Sequence, residues 1–247
     1  MLKLRRAWHA LIFWSTCIGT CAGAWTDACA QQLRLSVPEY LPYTGTVDGK
    51  PGGTAVETVR EILRKAGMTV VLQVVPNYGR CIQQLKEGTS DGFFLGSRNI
   101  ERDAIAELSD AVTINNWIWV THKASSWRPS NADFKQKAHV GVMLNTNPHF
   151  WLKSHGYNIT GTATTSTALL AMLDLQRLDA VLMPELVFQN AAQVLSKSLD
   201  SYATEIEIKQ PFGIYISKKF IETHPDTMAR INLAIQQSRG KDVKTKP

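Results

Sequence analysis

The chain has 247 residues, 44% hydrophobic and 19% charged, with a formal net charge of +6. Such a composition excludes a disordered chain, a collagen-like repeat and a disulfide-dense mini-scaffold, and the length fits one large domain or two lobes of roughly 100 residues each. A nucleic-acid partner is not indicated, because Lys3, Arg5, Arg6, Lys241, Lys244 and Lys246 concentrate the excess at the two ends and leave a near-neutral body with no basic stripe.

The chain opens as an address. Met1–Arg6 is basic, and no Asp, Glu, Lys or Arg occurs from Ala7 through Thr26. The stretch ends in Ala28-Cys29-Ala30, small residues where a signal peptidase cuts, so export to the periplasm with cleavage after Ala30 is expected. Ala22-Gly23-Ala24 offers a second cut. Ala30 is preferred because Leu33–Val37 starts a strand directly afterwards. A retained membrane anchor is the alternative, weakened by Ser15, Thr16, Gly19 and Thr20 within the run. Cys17, Cys21 and Cys29 leave with the leader, so only Cys81 remains and no internal disulfide forms. Cys81 reads as a small buried side chain rather than a nucleophile.

Leu33, Leu35 and Val37 alternate as a half-buried strand, followed by a turn-rich loop through Pro42, Gly45, Pro51 and Gly53. Thr54-Ala55-Val56-Glu57 has the spacing of a capping box, and Val56, Val59, Ile62 and Leu63 form the inward face of a helix that Gly67 stops. Met68–Val75 is a β-branched strand. Ile82 and Leu85 lie on a short helix closed by Gly88, and Asp91–Leu95 is a buried strand. Strand and helix in alternation predict parallel pairing.

The pattern restarts at Val112–Thr121, an extended stretch whose Trp117 and Trp119 read as anchors at a lobe junction. Ala124–Ser130 reads as a boundary. Then come a strand at His139–Met143, a helix at Pro148–His155, a helix at Ser166–Arg177, a strand at Ala180–Met183 and a helix at Glu185–Leu195. Two strands, Ala203–Ile208 and Pro211–Ser217, precede a final helix, Pro225–Ser238, with Gly240 beyond its end. Two α/β units of similar size predict a cleft between them, outside the carboxyl ends of the strands.

Enzyme motifs are missing: there is no Gly-x-Ser-x-Gly, no phosphate-cradling loop and no His-Glu-x-x-His. His149 and His155 are six apart, so they do not share a helical face as metal ligands would. Glu205 and Glu207 alternate on a strand and read as facing solvent together. Loop chemistry at strand ends remains: Tyr40-Leu41-Pro42-Tyr43, Gly96-Ser97-Arg98-Asn99-Ile100-Glu101-Arg102, Asn145-Thr146-Asn147 and Pro184-Glu185. Arginine beside serine and asparagine suits a small carboxylate, because guanidinium offers a planar fork and the neighbours add neutral bonds. On the residues alone, Tyr40 and Tyr43 fit a sheet-edge cover equally well, and Arg98 fits a solvated loop charge.

The order of these segments resembles the family 3 extracellular solute-binding proteins, the polar-amino-acid receptors of ABC importers, across essentially the whole mature chain. Tyr40-Leu41-Pro42-Tyr43 is similar to the loop whose aromatic stacks on the ligand. Glu87-Gly88-Thr89-Ser90-Asp91 followed by Glu101-Arg102 is similar to the next signature, whose arginine clamps the ligand carboxylate. Val140-Gly141-Val142 through Asn147 resembles the opening of lobe two, and Leu178-Asp179-Ala180-Val181 the Asp-Ala strand. The resemblance implies an α/β, two-lobed periplasmic binding protein of type II (Venus-flytrap) with two hinge strands. Lobe one is expected at 31–120 plus 210–247, and lobe two at 121–209.

It implies ligand contacts from Tyr40, Tyr43, Ser97, Arg98, Asn99, Arg102, Asn145, Thr146, Asn147 and Glu185. It also implies a monomer that needs no cofactor or metal and meets an ABC permease or a sensor protein in the membrane. Two departures stand out. Asp91 to Arg102 is one residue shorter than the family spacing, which makes Arg98 a rival clamp. The position of the family's ammonium-accepting Asp is Pro184, with Glu185 beside it. A periplasmic lyase or dehydratase on the same fold, using Glu185, and a ligand-presenting sensor subunit are the rival readings.

Overall fold

The computed structural model describes residues 31–242. The predicted leader and its cleavage point lie outside the described residues. In chain order the first elements are β1 (Gln31–Pro38), β2 (Gly45–Val47), β3 (Lys50–Gly52), α1 (Thr54–Lys65), β4 (Met68–Val75), α2 (Tyr78–Glu87), β5 (Gly92–Gly96), α3 (Ile100–Ile105) and β6 (Ala106–Leu108). Then follow β7 (Thr113–His122), α4 (Phe134–Lys137), β8 (Val140–Met143), α5 (Asn147–Ser154), β9 (Ile159–Ala163), α6 (Ser166–Asp174), β10 (Ala180–Pro184) and α7 (Glu185–Val194). The chain closes with β11 (Tyr202–Ser217), α8 (Lys218–Thr223) and α9 (Thr227–Asp242).

The main strands run β4-β1-β5-β11-β7-β10-β8-β9, with β6 also on β11. β1 pairs parallel with β4 and β5, and β8 pairs parallel with β10 and β9. Between these parallel sets lie β7 and β11, antiparallel to each other and to their outer neighbours. β11 pairs with β7 from Tyr202 to Phe212 and with β5 from Gly213 to Ile216, so one strand serves both halves. A single strand therefore replaces the two expected at Ala203–Ile208 and Pro211–Ser217. Pro211 lacks only an N–H, and it sits beside the point where β11 changes partners, so it does not break the strand.

Buried side chains follow the predicted faces. α1 buries Val56, Val59, Ile62 and Leu63 against the sheet, and α2 ends on Gly88 in the left-handed conformation. The capping box is not formed: Gly53 is the N-cap, and the Thr54 hydroxyl donates to the Pro42 carbonyl instead (3.3 Å). Thr54 N–H and Ala55 N–H also donate to the Pro42 and Tyr43 carbonyls (2.9 and 3.0 Å), which fastens the tyrosine loop to the start of α1. Gly53 lies at φ 115° directly under the Tyr43 carbonyl, where a Cβ would collide.

Two acidic motif residues are structural pins. Asp91 receives Arg34 Nη2 (2.6 Å), Nε (3.0 Å) and backbone N–H (2.9 Å), tying β1 to the start of β5. Asp179 accepts the His139 N–H (2.7 Å) and ties the starts of β8 and β10 together. Glu205 is exposed as expected, but Glu207 is only half-exposed. A register shift between Ile206 and Ile208 turns Glu207 onto the Trp119 indole, which donates to it at 2.7 Å. The last helix also departs from expectation: it begins at Thr227 and runs through Gly240. Cys81 is fully buried on α2, as its surroundings predict.

Candidate functional site

The loops after β1 and β5 meet the turn between β8 and α5, which comes from the other half of the sheet. The expected loop Ser97–Arg102 is in part the start of α3, because the Asn99 side chain caps it by accepting from Glu101 N–H (2.8 Å) and Arg102 N–H (3.4 Å). That turn of helix swings Arg102 inward. Its side chain is 2% exposed, the second-largest fully buried one described.

Arg102 lies with its guanidinium carbon 4.9 Å from the Tyr78 ring centre and 5.6 Å from that of Phe93. One nitrogen, Nη1, donates to the Ser97 carbonyl (3.2 Å), while Nε and Nη2 are buried without a partner. No Asp or Glu pairs with Arg102 among the described residues. Burial holds its pKa below the ordinary guanidinium value, opposed by the surrounding phenols. A buried cation facing two aromatic rings gains some attraction from them, but much less than a carboxylate would supply.

Arg102 lines a chamber of about 10 Å³, room for about one water molecule. Of the residues singled out in the sequence, Tyr40, Ser97, Thr146 and Asn147 line it too, together with Tyr78, Trp117 and Phe212, which were not singled out as site residues. Trp117 is 3% exposed and its indole N–H is a second unpartnered buried donor. It sits on β7 opposite Pro184 on β10, a pairing that the local pattern of the strand does not reveal.

Asn147 closes the chamber. Its Nδ2 donates to Ser97 Oγ (2.6 Å) and the Ser97 carbonyl (2.9 Å), and its Oδ1 accepts from Asn99 Nδ2 (3.0 Å). The remaining expected residues lie elsewhere. Arg98 is 70% exposed and pairs with Asp103 at 3.0 Å. Asn145 is in the left-handed conformation against Gly79, at a different surface hollow. Tyr43 donates to Asn115 Oδ1 (3.0 Å), and Glu185 accepts from Asn116 Nδ2 (2.8 Å). Burial, and then the Glu185 carboxylate, push the Tyr43 phenol up to about 12.

No protein-family model matches the sequence, and no curated protein matches it significantly. Solved structures do match. A histidine kinase sensor domain with similarity to periplasmic binding proteins superposes with a TM-score of 0.73 at 19% identity, over 85% of this chain and 91% of that one. An ABC uptake transporter substrate-binding protein from Streptococcus pneumoniae with bound histidine gives 0.70 at 17%, over 83% and 86%. The arginine-bound form of truncated ArgBP from T. maritima gives 0.68 at 17%, over 83% and 95%. The chain has the two-lobed periplasmic-binding-protein fold. The Arg102 chamber thus lies in the cleft between lobes, outside the carboxyl ends of β1, β5 and β8, where such sheets place ligands.

Proposed function

We propose that this protein captures a small, polar, carboxylate-bearing solute of amino-acid size between its lobes and hands it to an ABC importer in the inner membrane. In this reading the leader directs it to the periplasm, it acts as a monomer, lobe one is 31–120 plus 210–247, and lobe two is 121–209. The observation that carries the reading is Arg102: a fully buried guanidinium with two free donors and no counter-ion, at the lobe boundary. Charge buried without a partner is expensive, and a ligand carboxylate would satisfy it through a two-pronged bond. Arginine, histidine and glutamine bound to proteins of this fold support an amino-acid-sized carboxylate. Likeness to a kinase sensor domain favours a second reading, in which the closed form is presented to a membrane receptor. Pull-down of the membrane partner decides between the two.

The test is affinity. Arg102→Ala leaves a ligand carboxylate buried and unpaired, which costs about 2–5 kcal/mol, or about thirtyfold to several thousandfold in Kd. Arg102→Lys keeps the charge without the fork and recovers only part. Arg98→Ala, at an exposed ion pair, should cost less than about 1 kcal/mol. Calorimetry on the three variants, after circular dichroism establishes folding, gives the ranking. Loss of binding in Arg98→Ala with Arg102→Ala unaffected would move the clamp to Arg98.

A further inference from the structure

Resting on the carboxylate reading above, the geometry points to a narrower ligand class: a carboxylic acid with an apolar body and no ammonium on the carbon beside its carboxylate. The hydrogen-bonding capacity left over in the inner chamber is one-sided. Its unpartnered buried groups are donors, Arg102 Nε and Nη2 and Trp117 Nε1. Its carbonyls are engaged: Leu95 accepts from the Tyr78 hydroxyl (2.7 Å), and Ser97 accepts from both Arg102 (3.2 Å) and Asn147 (2.9 Å). Among the described residues no Asp or Glu lines the chamber. An ammonium brought beside Arg102 would lose its water, gain no carboxylate and stand next to a buried like charge.

The carboxylates around the chamber are occupied outside it, Asp103 by Arg98 (3.0 Å) and the Tyr215 hydroxyl (2.7 Å). Glu185 is held by Asn116 (2.8 Å). Glu39 lines the wider cavity and is held there by the Thr46 hydroxyl (2.6 Å) and N–H (3.1 Å), away from Arg102. A larger cavity lies on the other side of Tyr40. Tyr40 is the lining residue that the chamber shares with this cavity of about 600 Å³ between the lobes, where Leu41, Val75, Pro76, Met143, Val187 and Val194 form an apolar wall beside Glu39, Asn190 and the hydroxyls of 164–167. That volume is within the range of small-molecule sites, and its apolar wall rewards an apolar body with a single charged end. Unpartnered donors at Arg102 and a wall of hydrocarbon in the wider cavity together describe a fatty or aryl-alkyl acid better than an α-amino acid.

The test pairs acids with their α-amino counterparts: 4-methylpentanoate with L-leucine, and 3-phenylpropanoate with L-phenylalanine, titrated calorimetrically into the purified protein. The expected result is at least tenfold tighter binding of each acid, and a gain of about fourfold per methylene from butanoate to hexanoate. Equal or tighter binding of the amino acids, or no binding by either series, overturns the inference. The same titrations on Arg102→Ala separate the two levels. Amino-acid binding that Arg102→Ala abolishes sinks this inference and leaves the carboxylate reading standing. Binding that Arg102→Ala leaves intact sinks both.

Discussion

Two arginines four residues apart show how burial sorts chemically identical side chains. Arg98 and Arg102 flank the start of α3, yet one is 70% exposed beside Asp103 and the other 2% exposed beside two aromatic rings. Spacing in the sequence leaves both as candidates for a clamp; the helical turn capped by Asn99 separates them. Cys81 illustrates the opposite outcome, a reactive residue type made inert. Burial pushes its thiol up to about 12, against smaller opposing pulls from the Ser36 hydroxyl and Arg102. Only the thiolate attacks disulfide reagents, and a raised pKa keeps the thiol protonated throughout pH 7–9. In protein beginning at Gln31, Cys81 should therefore resist Ellman's reagent at pH 8 until denaturant is added, then react with a full equivalent. Rapid labelling of the native protein would contradict this account.

Among the elements, the tyrosine loop depends on a glycine outside it. Gly53, at φ 115°, lets the start of α1 lie under the Tyr43 carbonyl and donate two N–H groups to the loop. Gly53→Ala introduces both a strained dihedral and a backbone collision, so a loss of about 1–3 kcal/mol is expected. It should appear as a lower urea midpoint with an unchanged slope, accompanied by weaker ligand binding because Tyr40 moves with the loop. A midpoint equal to wild type would mean that the loop is held some other way. Conversely, the acidic motif residues Asp91 and Asp179, read first as family signatures, tie strands together and stand away from the chamber. Their positions make the fold readable more than they make the ligand readable.

At the scale of the molecule, a long strand and one asparagine govern how the lobes meet. β11 is shared by both halves, whereas Asn147 reaches across to Ser97 and Asn99. Each neutral hydrogen bond is worth about 0.5–1.5 kcal/mol, enough to bias an equilibrium between open and closed arrangements. Asn147→Ala should raise the radius of gyration of ligand-free protein in small-angle scattering, and added ligand should restore the compact value. An unchanged radius would show that other contacts hold the lobes together.

Much of the fold was readable locally. Apolar spacing located α1, α2 and α7, and β-branched or continuous apolar runs located β4, β5 and β10, to within a few residues, because a helix turns its apolar positions to one side and a central strand is buried on both. Arg102, Ser97, Thr146 and Asn147 were also accessible, as polar residues in loops at strand ends. Partners at long range were not. Whether Pro211 ends a strand depends on β7 and β5, roughly a hundred residues earlier. Trp117 and Tyr78 reach the chamber because the lobes fold over them, while their local patterns describe only a buried strand and the start of a helix. The sequence determined which faces are apolar; the tertiary structure decided what those faces meet, and so which buried donors were left without acceptors.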